Sequence, residues 1–279
     1  MGTPAPGIVS PVERRAPSPM IEPDGGHPSL RLIRTQSRRS KSWLSIGPLP
    51  DVTEIEAAHL EQIASARRYL YLETQFLRST QVTDALVEAG RTEPDLHLIV
   101  LLPAAPDEAV FEGKSGMGLR HGEWLQVRAI DRIRAAFKDR CGVFCLTRGE
   151  AGTETGERDA VAGDEIAYVH AKVAIADGGT AIVSSANLNG RSLHWDTEAG
   201  LFWKNTGEVS RFQARLWRQH LRRDFNGRAT GSGAAALTMW RTAAASGSAH
   251  ADSAQVAAYP LEKARRFARY SPFVPHDMV

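Results

Sequence analysis

The sequence lacks the features that would mark it as secreted, disulfide-bonded or membrane-spanning. It contains two cysteines in 279 residues, too few for a disulfide framework. No apolar run approaches the ~20 residues that a membrane-spanning helix needs. The N-terminal residues have no apolar segment of the kind found in secretory signals. We therefore expect a cytoplasmic protein, at most peripheral to a membrane.

A strong charge of one sign is also missing. The chain has 34 basic and 32 acidic residues, and its net charge is +2. Proteins that bind nucleic acid usually carry a basic stripe, so the charge argues mildly against nucleic acid as the partner. Any attraction for an anionic substrate must come from local patches.

Three regions differ in composition. Residues 1–28 are rich in proline and glycine and predict a disordered leader. Residues 29–226 alternate helical patterns with short apolar runs such as 96–102, which predicts an α/β sandwich around buried strands. Residues 227–279 begin with an Ala/Ser/Gly-rich stretch and predict a partly mobile C-terminal extension. Two polar, glycine-containing stretches, 104–120 and 148–163, are predicted to be long loops.

The segment 168–198 holds the most informative pattern. Around His170 and Lys172 polar and apolar residues alternate, so a strand would place these two side chains on one face. Asp177 and two glycines then predict a tight turn with a returning strand. That strand would end at Ser185 and Asn187, near the same edge. A further strand would bring Glu198 to them.

These residue types suit displacement at a phosphodiester. An imidazole such as that of His170 can act as nucleophile or as proton donor. The ammonium of Lys172 and the amide of Asn187, assisted by Ser185, can hold phosphate oxygens as negative charge builds on them. A carboxylate, here Glu198, can orient the imidazole and stabilise its charged form. Because cationic groups fill these roles, we expect no metal and no other cofactor.

The pattern resembles the HKD signature of the phospholipase D superfamily. The resemblance rests on His170, Lys172 and Asp177, and it extends through Ser185, Asn187 and Glu198 at the offsets the family uses. It implies a phospholipase D-like α/β/α sandwich half with a mostly buried mixed sheet. It also implies a phosphohistidine intermediate and transfer of the phosphoryl group to water or an alcohol.

Two further stretches resemble the C-terminal half of bacterial phospholipases D that contain two HKD motifs. Residues 73–76 are similar to the family's Glu-Asn-Gln-Tyr-Phe segment, and residues 216–221 are similar to its closing helix. The resemblance therefore covers roughly residues 30–225. It implies supporting roles for Glu73 and Gln75, although both could equally be the polar end of an apolar strand.

One expected element is missing, because the family's site uses two HKD motifs. No other histidine of the chain has a lysine two residues later. A second HKD half must come from a homodimer or from a missing N-terminal half, and the resemblance to a C-terminal half favours the latter. A third interpretation is a non-catalytic remnant that only binds phosphate.

The resulting hypothesis is a phospholipase D-type phosphodiesterase acting on glycerophospholipid headgroups. Its partners would be phospholipid substrate, a second HKD half and a membrane surface. The alternative within the same superfamily is a dimeric one-motif endonuclease. Two assignments stay open. Asp177 is either catalytic or a turn residue, and His121 is either over the pocket or, as we favour, on a surface loop.

Overall fold

The computed structural model describes residues 29–40, 47–151, 160–161, 164–222, 231–246 and 254–279. The predicted leader, residues 1–28, lies outside the described residues. Eleven strands of this part of the chain form one mixed sheet, and helices cover both of its faces. The predicted α/β sandwich with a mostly buried mixed sheet is confirmed.

The sheet contains the following strands: β1 (Leu30–Arg38), β2 (Leu49–Thr53), β3 (Tyr69–Glu73), β4 (His97–Leu101), β5 (Cys141–Ala151), β6 (Ala160–Val161), β7 (Asp164–Ala167), β8 (Val173–Ala176), β9 (Thr180–Ser184), β10 (Glu198–Lys204) and β11 (Ala254–Ala258). Their order is β2-β1-β10-β9-β8-β3-β4-β5-β7-β6, and β11 pairs with β5. Strands β3, β4 and β5 run parallel to one another, and the other pairs are antiparallel.

Seven described helices accompany the sheet: α1 (Glu54–Ser65), α2 (Thr80–Thr92), α3 (Asp107–Glu112), α4 (Met117–Phe137), α5 (Thr206–Leu221), α6 (Gly233–Ala245) and α7 (Leu261–Phe267). Helices α1, α2, α4 and α7 pack on one face of the sheet, and α5 and α6 pack on the other. The central strands are buried on both faces, which explains why the sequences of β3 and β4 are continuous apolar runs. None of the described helices has the length and apolarity of a membrane-spanning segment.

The predicted hairpin around Asp177 is formed by β8 and β9, with Ala176 opposite Thr180. Asp177 and Gly178 adopt φ angles of 55° and 66°, the left-handed conformation that closes a tight turn. One detail of the prediction is wrong, since β8 begins at Val173 and His170 and Lys172 precede the strand that was expected to hold them. Ser184 N still donates to the carbonyl of Lys172 at 3.1 Å, so pairing continues one residue beyond the strand.

The two predicted loops contain more regular structure than expected. Residues 104–120 include α3 and the first turn of α4. Strand β5 extends to Ala151, so the segment predicted as a loop from 148 begins as strand, and 152–159 lie outside the described residues. Polarity misled the prediction here, because exposed helices and edge strands also carry many polar residues.

The segment after residue 226 contributes to the same sheet and core. Helix α6 buries Leu237 and Trp240 against the sheet, and β11 adds a strand beside β5. Helix α7 packs on α4 and buries Leu261 and Phe267. The boundary placed at 226/227 stays a prediction, although the described residues beyond it share the core of those before it.

Candidate active site

Four strand ends meet at one edge of the sheet. Strand β3 ends at Glu73, opposite Val173 at the start of β8. Val173 pairs in turn with Val183 near the end of β9, and Ser184 pairs with Gly200 near the start of β10. Since each of these neighbours is antiparallel, the residues just beyond the strand ends must lie together at this edge.

Gln75, two residues beyond β3, links the predicted phosphate-binding side chains. Its Oε1 accepts hydrogen bonds from Lys172 Nζ at 3.4 Å and from Asn187 Nδ2 at 3.2 Å. Its Nε2 donates to the hydroxyl of Tyr168 at 2.9 Å. Gln75 is buried, so one amide fixes Lys172 and Asn187 side by side. The structure therefore brings these three predicted residues together.

Lys172 and Asn187 both keep hydrogen-bonding capacity. An ammonium has three N–H donors, and Lys172 uses two of them, on Gln75 and on the carbonyl of His170 at 2.8 Å. The amide of Asn187 has two N–H donors, of which one is used on Gln75. Counting the described residues, one donor on each side chain is thus left for a further acceptor.

His170 lies at the same edge with its side chain exposed. Its carbonyl accepts the bond from Lys172. Among the described residues, its imidazole ring has no hydrogen-bond or ion-pair partner. A ring in this state is accessible to a substrate, as a nucleophile must be.

Glu198 and Ser185 form a pair of their own beside His170. The Ser185 hydroxyl donates to the Glu198 carboxylate, and Ser185 Oγ accepts from Ala199 N at 3.1 Å. The predicted hydrogen bond from His170 to Glu198 is not formed, so the orienting role of Glu198 stays a prediction. The negative charge of Glu198 does act on Lys172, whose pKa it raises.

The pKa of Lys172 is nevertheless lower than that of an ordinary lysine. Burial of the ammonium lowers it, and this effect outweighs the opposing effects of Glu198 and Asp107. A lysine with a lowered pKa in an accessible site is a feature found at many functional centres. Asp107 belongs to α3, so the segment 104–120 approaches the site.

Asp177 lies at the other end of β8, about 17 Å from Lys172 at ~3.4 Å per residue. Its carboxylate accepts hydrogen bonds from the backbone N–H groups of Arg67, Arg68 and Tyr69 at 2.8–2.9 Å. These bonds tie the β8–β9 turn to the connection between α1 and β3. The arrangement favours the turn interpretation over a catalytic role.

We predict that Asp177→Ala destabilises the fold by about 2 kcal/mol, because three backbone donors lose a charged acceptor. Turnover at temperatures well below the unfolding transition should stay within a few-fold of that of the unchanged protein. Urea unfolding and kcat measured on the same preparation check both parts, with Asp95→Ala on an exposed loop as the matched control. A stable variant without activity would restore the catalytic interpretation.

Glu73, the other predicted supporting residue, has hydrogen-bond partners other than Lys172 and Asn187. Its carboxylate accepts from the Tyr71 hydroxyl at 2.8 Å and contacts His220 Nε2 at 3.3 Å. His220 belongs to the last turn of α5, and Trp240 of α6 packs on its ring. Glu73 therefore connects the end of α5 to the end of β3 and contacts none of the predicted catalytic side chains.

Tyr168 is a site residue that the sequence analysis missed. Its hydroxyl receives the bond from Gln75, and its ring packs on Phe111 of α3 with the ring centroids 5.6 Å apart. Burial raises the pKa of Tyr168 to about 12, so its hydroxyl stays protonated at neutral pH. The alternation that places His170 and Lys172 on one face also includes Tyr168, so the signal was present.

His121 is not on a surface loop, as the sequence analysis expected. It lies fully buried in α4, where Nδ1 accepts from Ser271 N at 3.0 Å and the ring stacks on Trp124. Burial lowers the pKa of His121, and the nearby positive charges of His276 and Arg78 lower it further. The prediction was wrong because the helix begins at Met117, well before Glu123, where the apolar spacing suggested its start.

Comparison with known proteins agrees with this geometry. A family model described as "Cardiolipin synthase, PLD-like domain" matches residues 59–220, which is more than half of the 279 residues. The chain belongs to the phospholipase D superfamily. The matched region includes every residue of the predicted site, from Glu73 to Glu198.

Curated phospholipases D are among the similar sequences. A phospholipase D of Phytophthora infestans is 28% identical over 201 residues, covering 62% of this chain and 11% of that protein. Phospholipase D1 of Homo sapiens is 27% identical over 213 residues, covering 67% of this chain and 19% of that protein. This superfamily member thus spans less than a fifth of the length of these two relatives.

Solved structures of the superfamily are more distant. Phosphatidylserine synthase from Haemophilus influenzae Rd KW20 has 14% identity and a TM-score of 0.46, covering 69% of this chain and 39% of that one. Nuc from Salmonella typhimurium, a phospholipase D family member, has 15% identity and a TM-score of 0.40, covering 68% of this chain and 91% of that one.

Proposed function

We propose that this chain is one half of a phospholipase D-type phosphodiesterase that hydrolyses or transfers the headgroup of glycerophospholipids. The observation that carries the proposal is the placement of Lys172 and Asn187 on the single amide of Gln75, beside the exposed ring of His170. Two phosphate-binding donors and a nucleophile thus share one edge of the sheet. Several phospholipases D among the similar proteins support a phospholipid as substrate.

In the proposed reaction, an imidazole nitrogen of His170 attacks phosphorus. The bond from phosphorus to the headgroup oxygen breaks, and the leaving alkoxide takes a proton from the histidine of a second HKD half. Water, deprotonated by that second histidine, then attacks the phosphohistidine and releases His170. An acceptor alcohol in place of water gives headgroup exchange.

Lys172 and Asn187 stabilise this reaction by donating to the non-bridging oxygens, on which negative charge increases in the transition state. Gln75 holds both side chains in place, so their remaining N–H groups are positioned before phosphate binds. Little reorganisation is then needed when phosphate binds, which is the main advantage of a preorganised site. Ser185 and Glu198 lie beside them and complete the polar edge.

The proposal requires a second HKD half, since only His170 is followed by a lysine at the required spacing in this chain. It can come from a second copy or from a separate N-terminal half, and the two sources predict different assemblies. We expect phosphodiesterase activity only in a species that contains two HKD motifs. Light scattering coupled to size-exclusion chromatography, with an assay of each fraction, measures molar mass and activity together.

Activity confined to a dimer would show that two copies of His170 build the site. An inactive monomer that gains activity with an added N-terminal half would show that the chain is the complementary half. Full activity in a stable monomer would contradict the proposal. Hydrolysis of DNA but not of phospholipid, measured on the same fractions, would favour the endonuclease alternative.

A further inference from the structure

Strands β1 and β10, next to the edge strand β2, present an exposed apolar surface. Leu30 and Leu32 of β1 pair with Trp203 and Leu201 of β10. The side chains of Leu30, Leu32 and Leu201 are 39%, 57% and 40% exposed. Alternation along the strands places all four on the face that α5 covers further inward. Buried residues of these strands, such as Ile33 and Phe202, point to the opposite face.

A groove of about 610 Å³ continues this surface toward α5. Trp203, Phe212 and Leu216 form its apolar floor, and the rings of Trp203 and Phe212 lie 5.4 Å apart. The floor is half-buried, so it is accessible from the solvent side. A contiguous exposed apolar surface of this kind is more often an interaction site than a surface without a function.

Arginines line the outer side of the groove. Arg211 and Arg215 occupy positions i and i+4 of α5, so they project from one side of the helix. Arg211 and Arg215 have no acidic partner among the described residues. By contrast, Arg31 and Lys204 on the other face share the carboxylate of Glu61.

Arg211 and Arg215 therefore present positive charge that carboxylates of the described residues do not neutralise. In the part of the chain that the structure describes, Glu208 is the only acidic residue that lines the groove. Positive charge beside an apolar surface is the combination by which peripheral proteins bind anionic lipid: guanidinium groups contact phosphates, and apolar side chains enter the headgroup region. We call this surface, formed by α5 and the β1–β10 end of the sheet, the α5 face.

We propose that the α5 face docks the protein onto an anionic phospholipid bilayer. A second copy of the chain fits less well, because a twofold interface would bury two copies of the same basic patch in one surface, to which each groove contributes one acidic lining residue, Glu208. Nucleic acid would use the arginines but would leave the exposed leucines unexplained, since phosphate contacts require no aliphatic surface. A lipid surface uses both features.

The α5 face also has a useful position relative to the site. Strand β10 starts at Glu198 in the candidate active site and reaches Trp203 in the groove, about 17 Å further at ~3.4 Å per residue. Helix α5 ends beside Glu73, at the same edge as the site. Docking on this face would bring a bilayer next to the catalytic edge, so the inference rests on the proposed phospholipid substrate and extends it.

Vesicle binding of the full chain tests the inference without requiring turnover. The probes are vesicles of phosphatidylcholine alone and of phosphatidylcholine with an equal amount of phosphatidylglycerol, recovered by sedimentation. We expect binding to the anionic vesicles only, weakening as salt increases. The double variant R211E/R215E should bind at least about thirtyfold more weakly, at roughly a fivefold loss for each positive charge removed from the surface.

The matched control is R91E/R266E, which makes the same change of net charge on exposed arginines elsewhere. It should bind nearly as well as the unchanged protein. Leu32→Asp should weaken binding without altering the arginines. Absence of vesicle binding, equal loss in the control, or a change of molar mass in R211E/R215E would overturn the proposal. Salt-dependent binding to duplex DNA in place of vesicles would overturn it as well.

A separate assay distinguishes this inference from the proposed function. The active assembly is given a short-chain phosphatidylcholine below its micelle-forming concentration, so that no lipid surface is present. R211E/R215E should hydrolyse this substrate at the rate of the unchanged assembly and lose activity only on anionic vesicles. If no form hydrolyses the soluble substrate, the proposed function fails. If only vesicle binding is absent, the docking surface fails.

Discussion

His170→Ala is expected to lower phosphodiesterase turnover of the assembled enzyme by roughly 10⁴-fold or more. A covalent mechanism loses its intermediate when the nucleophile is removed, and the remaining catalysis comes from binding and electrostatic stabilisation alone. If the second half supplies the nucleophile instead, His170 serves as the general acid. The loss is then expected to be smaller, about 10²–10⁴-fold.

The structure makes this substitution easy to interpret. The His170 side chain is exposed, and its ring has no hydrogen-bond partner among the described residues. Its removal should leave the fold unchanged, and the carbonyl that accepts from Lys172 belongs to the backbone and remains. A fall in activity can therefore be assigned to the ring.

The measurement is steady-state hydrolysis together with acid trapping of phosphoenzyme from a substrate labelled in the phosphoryl group. His97→Ala is the matched control, because His97 starts β4 at the opposite edge of the sheet and contacts the carbonyl of Asp95. The control should keep its activity and its phosphoenzyme. Unchanged turnover in His170→Ala would remove this residue from the mechanism.

Much of the candidate site could be predicted from the sequence because strand pairing determines which of its residues lie together. The alternation around Lys172, the turn at Asp177 and the return to Ser185 define a hairpin, and antiparallel pairing then brings the polar ends together. Gln75 follows an apolar run that was predicted to be a strand and forms β3. The position of these residues at one edge needed no knowledge of side-chain conformation.

The remaining features depend on side-chain conformation, which periodicity does not specify. The carboxylate of Glu198 was expected to form a hydrogen bond with the imidazole ring of His170, but it accepts one from the Ser185 hydroxyl. Asp177 lies in the motif yet binds backbone N–H groups at the far end of the hairpin, because a left-handed turn directs its side chain there. Tyr168 accepts a hydrogen bond from Gln75 while Phe111 of α3 packs against its ring.

Lys172→Ala is expected to lower turnover by about 10²–10³-fold, the usual loss when one donor to a developing negative charge is removed. Lys172→Arg should recover only part of the rate, since a planar guanidinium cannot reproduce the bonds of the ammonium to Gln75 and to the carbonyl of His170. Hydrolysis rates over a range of substrate concentrations separate kcat from KM. Asn187→Ala should resemble Lys172→Ala, and an unaltered kcat in both would exclude phosphate binding by this pair.

The pH dependence of the hydrolysis rate offers a sharper test of the role of Lys172. In the proposed reaction the ammonium form of Lys172 is the active form, so activity should fall as pH rises through its pKa. Burial lowers that pKa, so the fall should begin at a lower pH than the ordinary value near 10.4 suggests. Replacing Lys172 by arginine should abolish this alkaline fall, because a guanidinium stays protonated.

Glu198→Gln should move the alkaline fall to a still lower pH. The negative charge of Glu198 stabilises the ammonium of Lys172, so its removal lowers the pKa further. Glutamine retains an oxygen that can accept from the Ser185 hydroxyl, so the local structure should persist. The readout is the midpoint of the pH–rate profile and not the rate itself, which a changed orientation of His170 would also alter. A midpoint that stays fixed in Glu198→Gln, or a fall that persists in Lys172→Arg, would show that another group titrates and that Lys172 does not set the alkaline limit.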